Sequence, residues 1–234
     1  MKRKCVIIPA FNEERSIAEV IKGIRESGHG DIIVVDDGST DKTGARAREA
    51  GAFVIPHPFN MGYGVALQTG YKYALRRGYD LLVQMDGDGQ HDPDSIGDLF
   101  ESVESGRCDM ALGSRFLSPQ AYEVGILKSF GIGLFRGMIR LMTGETITDP
   151  TSGYQCLKRT VFETLSRDIF PTDYPDANII IMLHRMGFQI KEIPVAMRPN
   201  PAGRSMHQGV FRIVYYFFKM FLSFLIALIR AKGG

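Results

Sequence analysis

Five short runs of apolar and β-branched residues, at 5–8, 31–35, 52–55, 81–85 and 109–112, alternate with longer stretches of helical spacing at 13–26, 41–50, 62–77 and 93–104. Strands and helices in strict alternation leave few solutions other than a mostly parallel sheet covered by helices, so an α/β fold is predicted. In the first helical stretch Ile17, Val20, Ile21 and Ile24 recur at spacings of three and four and mark one buried face. Open sheets of this kind bind ligands beyond the carboxyl ends of their strands. The residues with chemistry to offer fall there, at 9–14, 36–41 and 86–91.

The third of these clusters is the most specific. The run Leu81-Leu-Val-Gln-Met-Asp86-Gly87-Asp88-Gly-Gln90-His91 ends a strand in two carboxylates one residue apart. On extended backbone residues i and i+2 project to the same side, so Asp86 and Asp88 can share one hard cation while glycine admits a ligand close to the chain. Mg²⁺ and Mn²⁺ favour oxygen donors and are commonly held by one or two carboxylates plus substrate phosphates. An acidic turn closing the strand is the competing reading.

The chain has 234 residues and a formal charge of +2, with no long basic run in its first hundred residues, which argues against nucleic-acid binding. Cys5, Cys108 and Cys156 are scattered and odd in number, so buried thiols in a reducing compartment are expected. The apolar run behind Lys2, Arg3 and Lys4 stops at Pro9, too short for a signal peptide.

The character changes after about Ser118. Between 125 and 142 apolar residues cover a broad arc of a helix, while Lys128, Arg136 and Arg140 gather opposite, the composition of a helix lying in a membrane interface. A helix packed on the sheet with a basic solvent face is the alternative. The run 210–229 is nearly all apolar; Arg212, Lys219, Ser223 and Arg230 fall within roughly a 40° stripe of it. About twenty residues can span a bilayer, but a central Lys costs roughly 2.5 to 3.5 kcal/mol. A membrane-attached interfacial or re-entrant helix is expected in preference to a full span or a soluble oligomerisation helix.

With the clusters assembled, the chain resembles the family 2 glycosyltransferases of GT-A fold over most of residues 4–206. The resemblance is carried by Val6-Ile-Ile-Pro9-Ala-Phe11-Asn-Glu13-Glu14, Val35-Asp-Asp37-Gly-Ser39-Thr-Asp41-Lys-Thr43, Asn60-Met-Gly62-Tyr-Gly64, the Asp86-to-His91 motif, Gly113-Ser-Arg115-Phe and Thr148-Asp149-Pro-Thr-Ser-Gly153-Tyr. The set looks most like the branch typified by dolichol-phosphate mannose synthase.

The resemblance implies an inverting, metal-dependent hexosyltransferase. Pro9, Phe11 and Glu13 would line the nucleotide pocket and Asp37 would contact base or ribose. Asp88, helped by Asp86 and Gln90, would hold a divalent cation (Mg²⁺ or Mn²⁺) on the donor diphosphate, with Gly87 at the substrate. Arg115 suits a phosphate clamp, because its planar fork matches phosphate oxygens; an ion pair is the other reading. A phosphomonoester acceptor is already largely ionised at neutral pH and relaxes the need for a base. It needs cations at the membrane edge instead, for which Lys128, Arg136, Arg140, Arg198 and Arg204 are candidates. Asp176 is the candidate base if the acceptor is a hydroxyl, and Asp149 is an acceptor contact or a turn residue. Asn200 and Met206 stand where that branch commonly carries basic residues, which leaves sugar and acceptor open. His91 and His207 are expected behind the ligands or in solvent.

The expectation is therefore a GT-A domain over 1–206 and a membrane-associated helix over 207–234. The enzyme would move a hexose from a UDP or GDP sugar to polyprenyl phosphate at the cytoplasmic membrane face, as a peripheral or monotopic protein. A transferase acting on a saccharide hydroxyl and an idle nucleotide-sugar-binding scaffold are the alternatives. A separate membrane protein or a second copy of the chain is a conceivable partner.

Overall fold

The computed structural model describes residues 2–118, 126–167 and 177–198. Among them are seven strands: β1 (Lys4–Ala10), β2 (Asp31–Asp36), β3 (Phe53–Pro56), β4 (Leu81–Gln84), β5 (Met110–Ser114), β6 (Gln155–Lys158) and β7 (Ile190–Pro194). They form one sheet in the order β3-β2-β1-β4-β6-β5-β7. The five runs read as strands are β1 to β5. Strands β1 to β4 run parallel and β5 pairs parallel with β7, but β6 enters antiparallel between β4 and β5.

Burial explains the pattern. Cys5, Val6, Ile7 and Ile8 are all fully buried because helices cover both faces of the sheet. Alternate residues of β1 feed different cores. Cys5 and Ile7 join Leu67, Tyr71, Phe135 and Phe162 on one side, and Val6 and Ile8 join Ile17, Ile21, Leu99 and Phe100 on the other. Each large aliphatic side chain so buried contributes about 1.5–3 kcal/mol.

The helices are α1 (Ile17–Ser27), α2 (Thr43–Glu49), α3 (Tyr63–Arg76), α4 (Ile96–Glu104), α5 (Ile126–Thr143), α6 (Arg159–Leu165) and α7 (Ala177–Arg185). Helix α1 starts later than position 13 because Glu13 closes a turn first, its carbonyl accepting from the amides of Ser16 and Ile17.

Helix α5 departs from its expected wheel. Its apolar residues divide between two faces: Ile132, Phe135 and Ile139 are buried, whereas Phe130, Leu134 and Leu141 are 74%, 50% and 87% exposed. Arg140 is exposed on the flank and Arg136 is half-buried. Among the described residues no helix is long and apolar enough to cross a membrane. The run 210–229 lies outside them.

Candidate active site

Parallel pairing brings the carboxyl ends of β1, β2 and β4 to one edge, and the loops there are strapped together. Asn12 adopts φ 58°, unusual for a residue with a side chain. Its side-chain oxygen accepts from the Thr40 amide at 2.9 Å while its own amide donates to Ser39 Oγ at 3.0 Å. The Glu13 amide donates to Thr43 Oγ1 at 2.7 Å, and Ser16 Oγ donates to the Glu13 carboxylate at 3.0 Å. Pro9, expected at the nucleotide pocket, sits buried within β1 opposite Val35, and the chain bends just after it at Phe11 and Asn12. Phe11 is 43% exposed, an apolar surface at the rim.

Asp37, expected on the nucleotide, is buried with its carboxylate already engaged. It accepts from the amides of Met61 and Gly62 at 2.9 and 2.8 Å and meets His57 Nδ1 at 2.7 Å, with His57 Nε2 in turn on Thr69 Oγ1 at 3.0 Å. Gly38 lets this loop close down: at φ 71° a Cβ there would lie 2.4 Å from the Phe59 carbonyl carbon. The geometry makes Asp37 the anchor of the 57–62 loop, which leads into α3.

The first residue of α3, Tyr63, reaches the metal candidates: its hydroxyl donates to Asp86 Oδ1 at 3.0 Å. Asp86 follows β4 with its side chain 30% exposed. Asp88 accepts the Gln90 amide on Oδ1 at 3.0 Å and the Gln90 side-chain amide on Oδ2. Burial raises the pKa of Asp86; the facing His91 opposes this, the Asp88 charge adds to it, and Tyr63 and Arg115 oppose it. Burial also raises that of Glu13, offset by its bond from Ser16 and reinforced by Asp88, Asp86 and Asp41.

Crowded oxygen donors of one sign, partly open to solvent, fit a hard divalent cation. Among the described residues no group of three or more His, Cys, Asp or Glu is arranged around one point. A carboxyl whose folded pKa exceeds its unfolded value contributes stability below the unfolded value and loses it as pH rises through the folded one. Mg²⁺ or Mn²⁺ should therefore raise the melting temperature most at neutral pH and least in acid, where protons compete. Melts with and without metal across that range check this.

On the far side of Asp86 lies the 148–153 loop. The Arg115 guanidinium, 7% exposed, forks onto Asp149 at 2.6 and 2.8 Å and also donates to Thr151 Oγ1 at 3.1 Å. The phosphate clamp expected at Arg115 thus finds its fork already on a carboxylate. Glu192, which the sequence reading missed, accepts from the amides of Thr148 and Asp149, both at 2.7 Å. Arg136 donates to the Thr148 carbonyl at 2.7 Å with its guanidinium over the Phe116 ring, tying α5 to the same loop.

Gly153 completes the contact with the carboxylates. A Cβ there would lie 3.0 Å from Tyr63 Oη and 3.3 Å from both oxygens of Asp86. Gly153→Ala should displace Asp86 by a few tenths of an ångström and lower turnover about tenfold, since small misplacements at a reacting site are costly. Urea denaturation should change little, because the crowded atoms lie at a partly open site. Wild-type turnover in this variant would mean that Asp86 tolerates displacement.

Arg198 bridges to the 86–92 loop: its guanidinium meets Asp92 Oδ1 at 2.8 Å and its amide donates to the Gln90 carbonyl at 2.8 Å. Asp176 and Arg204 lie outside the described residues, as does the Lys128 side chain. Tyr63 and Glu192 carried no local signal, since each acts through a partner at least 23 residues away.

Paired carboxylates at the carboxyl ends of the strands of an α/β sheet point to a class, and known proteins similar to this chain agree. Residues 5–166 match the Glycosyl transferase family 2 model, and the chain belongs to that family. It is 30% identical over 220 residues to the polyprenol monophosphomannose synthase of Mycolicibacterium smegmatis, across 89% of this chain and 82% of that one. It is also 30% identical over 217 residues to the undecaprenyl-phosphate mannosyltransferase of Micrococcus luteus, across 88% of each. Its backbone is similar to that of glucosyl-3-phosphoglycerate synthase from Mycobacterium tuberculosis, solved with Mn²⁺, UDP and glucosyl-3-phosphoglycerate, with a TM-score of 0.77. That likeness covers 97% of this chain and 80% of that one at 22% identity, and is one of fold: an α/β, GT-A-like arrangement.

Proposed function

We propose that this chain transfers a hexose from a UDP or GDP sugar to polyprenyl phosphate at a membrane surface, with inversion at the anomeric carbon. The observation that carries the reading is one connected path. Helix α5 shows solvent an apolar stripe of Phe130, Leu134 and Leu141, holds the 148–153 loop through Arg136, and that loop rests on Asp86 through Gly153. A surface suited to lipid is thereby fastened to the carboxylates of the donor site. The relatives named above, which by their names act with polyprenol and undecaprenyl phosphate, support the same acceptor.

Asp86 and Asp88 would hold Mg²⁺ or Mn²⁺, which when bound neutralises charge developing on the departing nucleoside diphosphate. Phe11 and Glu13 border the nucleotide, and Asp37 holds the 57–62 loop against it. The acceptor phosphate, ionised at neutral pH, attacks the anomeric carbon as the bond to the diphosphate breaks, so no protein carboxylate need remove a proton. Asp176 as a base belongs to the alternative with a saccharide hydroxyl. Arg140, Arg198 and Arg204 are the candidate cations for the acceptor phosphate. Arg115 acts through Asp149 to set the loop beneath both substrates.

The test is a transfer assay on the full chain with metal, a panel of UDP and GDP sugars and short polyprenyl phosphate in detergent. Metal-dependent glycosylated lipid phosphate, absent from Asp88→Ala, is expected. Donor hydrolysis without lipid product would move the acceptor to a hydroxyl; donor binding without turnover would leave a scaffold. The membrane part is separable. Leu134→Asp with Leu141→Asp should weaken vesicle binding at least about tenfold, because each leucine withdrawn from lipid forfeits up to about 1.5–3 kcal/mol. Unchanged co-sedimentation would remove α5 from the membrane.

A further inference from the structure

His91 has no part in the reaction described above, yet it is held from three directions. It is 3% exposed, its ring stacks on Tyr154 with centroids 4.7 Å apart at 14°, and its main chain bridges to Met197. Tyr154 is itself fixed, its hydroxyl donating to the Asp92 carbonyl at 2.8 Å. The decisive contact is on the imidazole: the Asp86 amide donates to His91 Nδ1 at 3.0 Å.

A nitrogen that accepts a hydrogen bond carries no proton, so the proton of the neutral ring sits on Nε2. Nε2 faces Asp86 Oδ2 at 3.8 Å. That is beyond a hydrogen bond but close enough for the N–H dipole to orient a carboxylate. The other oxygen, Oδ1, is held by the Tyr63 hydroxyl at 3.0 Å. Asp86 therefore has a donor facing each oxygen.

We infer that His91 is a positioning residue for the cation site, its Nε2–H setting the carboxylate of Asp86 in the orientation that binds metal. The inference rests on the reading of Asp86 and Asp88 as the metal pair. It also explains why His91, though beside two acids, is not a ligand. Coordination through Nε2 would force the ring proton onto Nδ1, against the Asp86 amide. Groups behind a ligand of this kind commonly change metal affinity by 10–100-fold when replaced.

Two substitutions separate the halves of the imidazole. In His91→Asn the side-chain oxygen stands in for Nδ1 and keeps the Asp86 amide satisfied, but nothing reaches Oδ2. In His91→Gln the amide NH₂ stands in for Nε2–H. Binding of Mn²⁺ to the full chain in the presence of UDP or GDP is read by calorimetry and by the Mn²⁺ electron paramagnetic resonance signal, alongside metal-free melting temperatures.

His91→Asn should bind Mn²⁺ about tenfold more weakly at a melting temperature close to wild type, with the donor KM at saturating metal unchanged, and His91→Gln should recover part of the loss. Wild-type metal binding in His91→Asn overturns the inference. So does a loss that tracks the melting temperature in both variants, which would mark packing alone. Asp86→Asn keeps premise and inference apart. If it binds Mn²⁺ like wild type, the metal pair itself has been misread; if it fails to bind while both His91 variants bind normally, only the role of His91 falls.

Discussion

Asp88→Asn should lower the rate of sugar transfer about a thousandfold while leaving the metal-free chain as stable as wild type. The two halves have separate causes. Among the described residues, the hydrogen bonds of the Asp88 carboxylate stay within its own turn, to the amide and side chain of Gln90, so no other element is unfastened by the change. The charge it removes is half of the pair proposed to face the donor diphosphate. Stabilising a leaving diphosphate through a bound cation contributes several kcal/mol, and each 1.36 kcal/mol is tenfold in rate, so a loss of about 4 kcal/mol gives about a thousandfold. Steady-state kinetics at saturating metal and donor, paired with a thermal melt, reads both. Activity within tenfold of wild type would sink the assignment of Asp88.

Much of this site was readable because its chemistry sits where strands stop. Parallel strands covered on both faces leave unbroken apolar runs such as Val6-Ile7-Ile8, and the first polar residues after them mark the ligand edge. The place of Asp86 and Asp88, just past the end of β4, was legible for that reason. Strand β6 was not: Gln155-Cys-Leu-Lys158 is four residues without alternation or a long apolar run. Its pairing with β4 and β5 is decided by partners more than forty positions away.

The roles of polar side chains were hidden in the same way. The sequence offers Arg115 as a fork suited to phosphate, but the fork's nearest carboxylate is 34 positions along the chain. Asp37 reads as a ligand contact, and the amides of Met61 and Gly62 on its oxygens come from more than twenty positions along the chain. For α5, composition revealed a surplus of apolar residues. Only packing shows that Ile132, Phe135 and Ile139 use one face and leave Phe130, Leu134 and Leu141 on another.

Asp149→Ala should cost about 3–5 kcal/mol of stability, the range for leaving one member of a buried ion pair without its partner. The Arg115 and Asp149 side chains are 7% and 1% exposed, so water cannot take over the guanidinium when the carboxylate goes. Against a total of about 5–15 kcal/mol for a domain, that is a large share and should be plain in urea denaturation. Replacing both residues by apolar side chains should restore much of the loss, because the penalty lies in the stranded charge. Arg115→Lys keeps the charge but not the planar fork, and should fall between the two.

This series also decides how Arg115 serves the reaction. If Arg115 grips the donor and Asp149 is incidental, Asp149→Ala frees the guanidinium for phosphate, tightens donor binding and leaves stability unchanged. If the pair fastens the 148–153 loop, stability falls. The metal requirement then rises with it, because the same loop presses Gly153 against Asp86 and takes Arg136 of α5 on the Thr148 carbonyl. The second outcome is expected, since the fork's two short bonds to Asp149 and its third to Thr151 Oγ1 lie in a buried pair, with side chains 7% and 1% exposed.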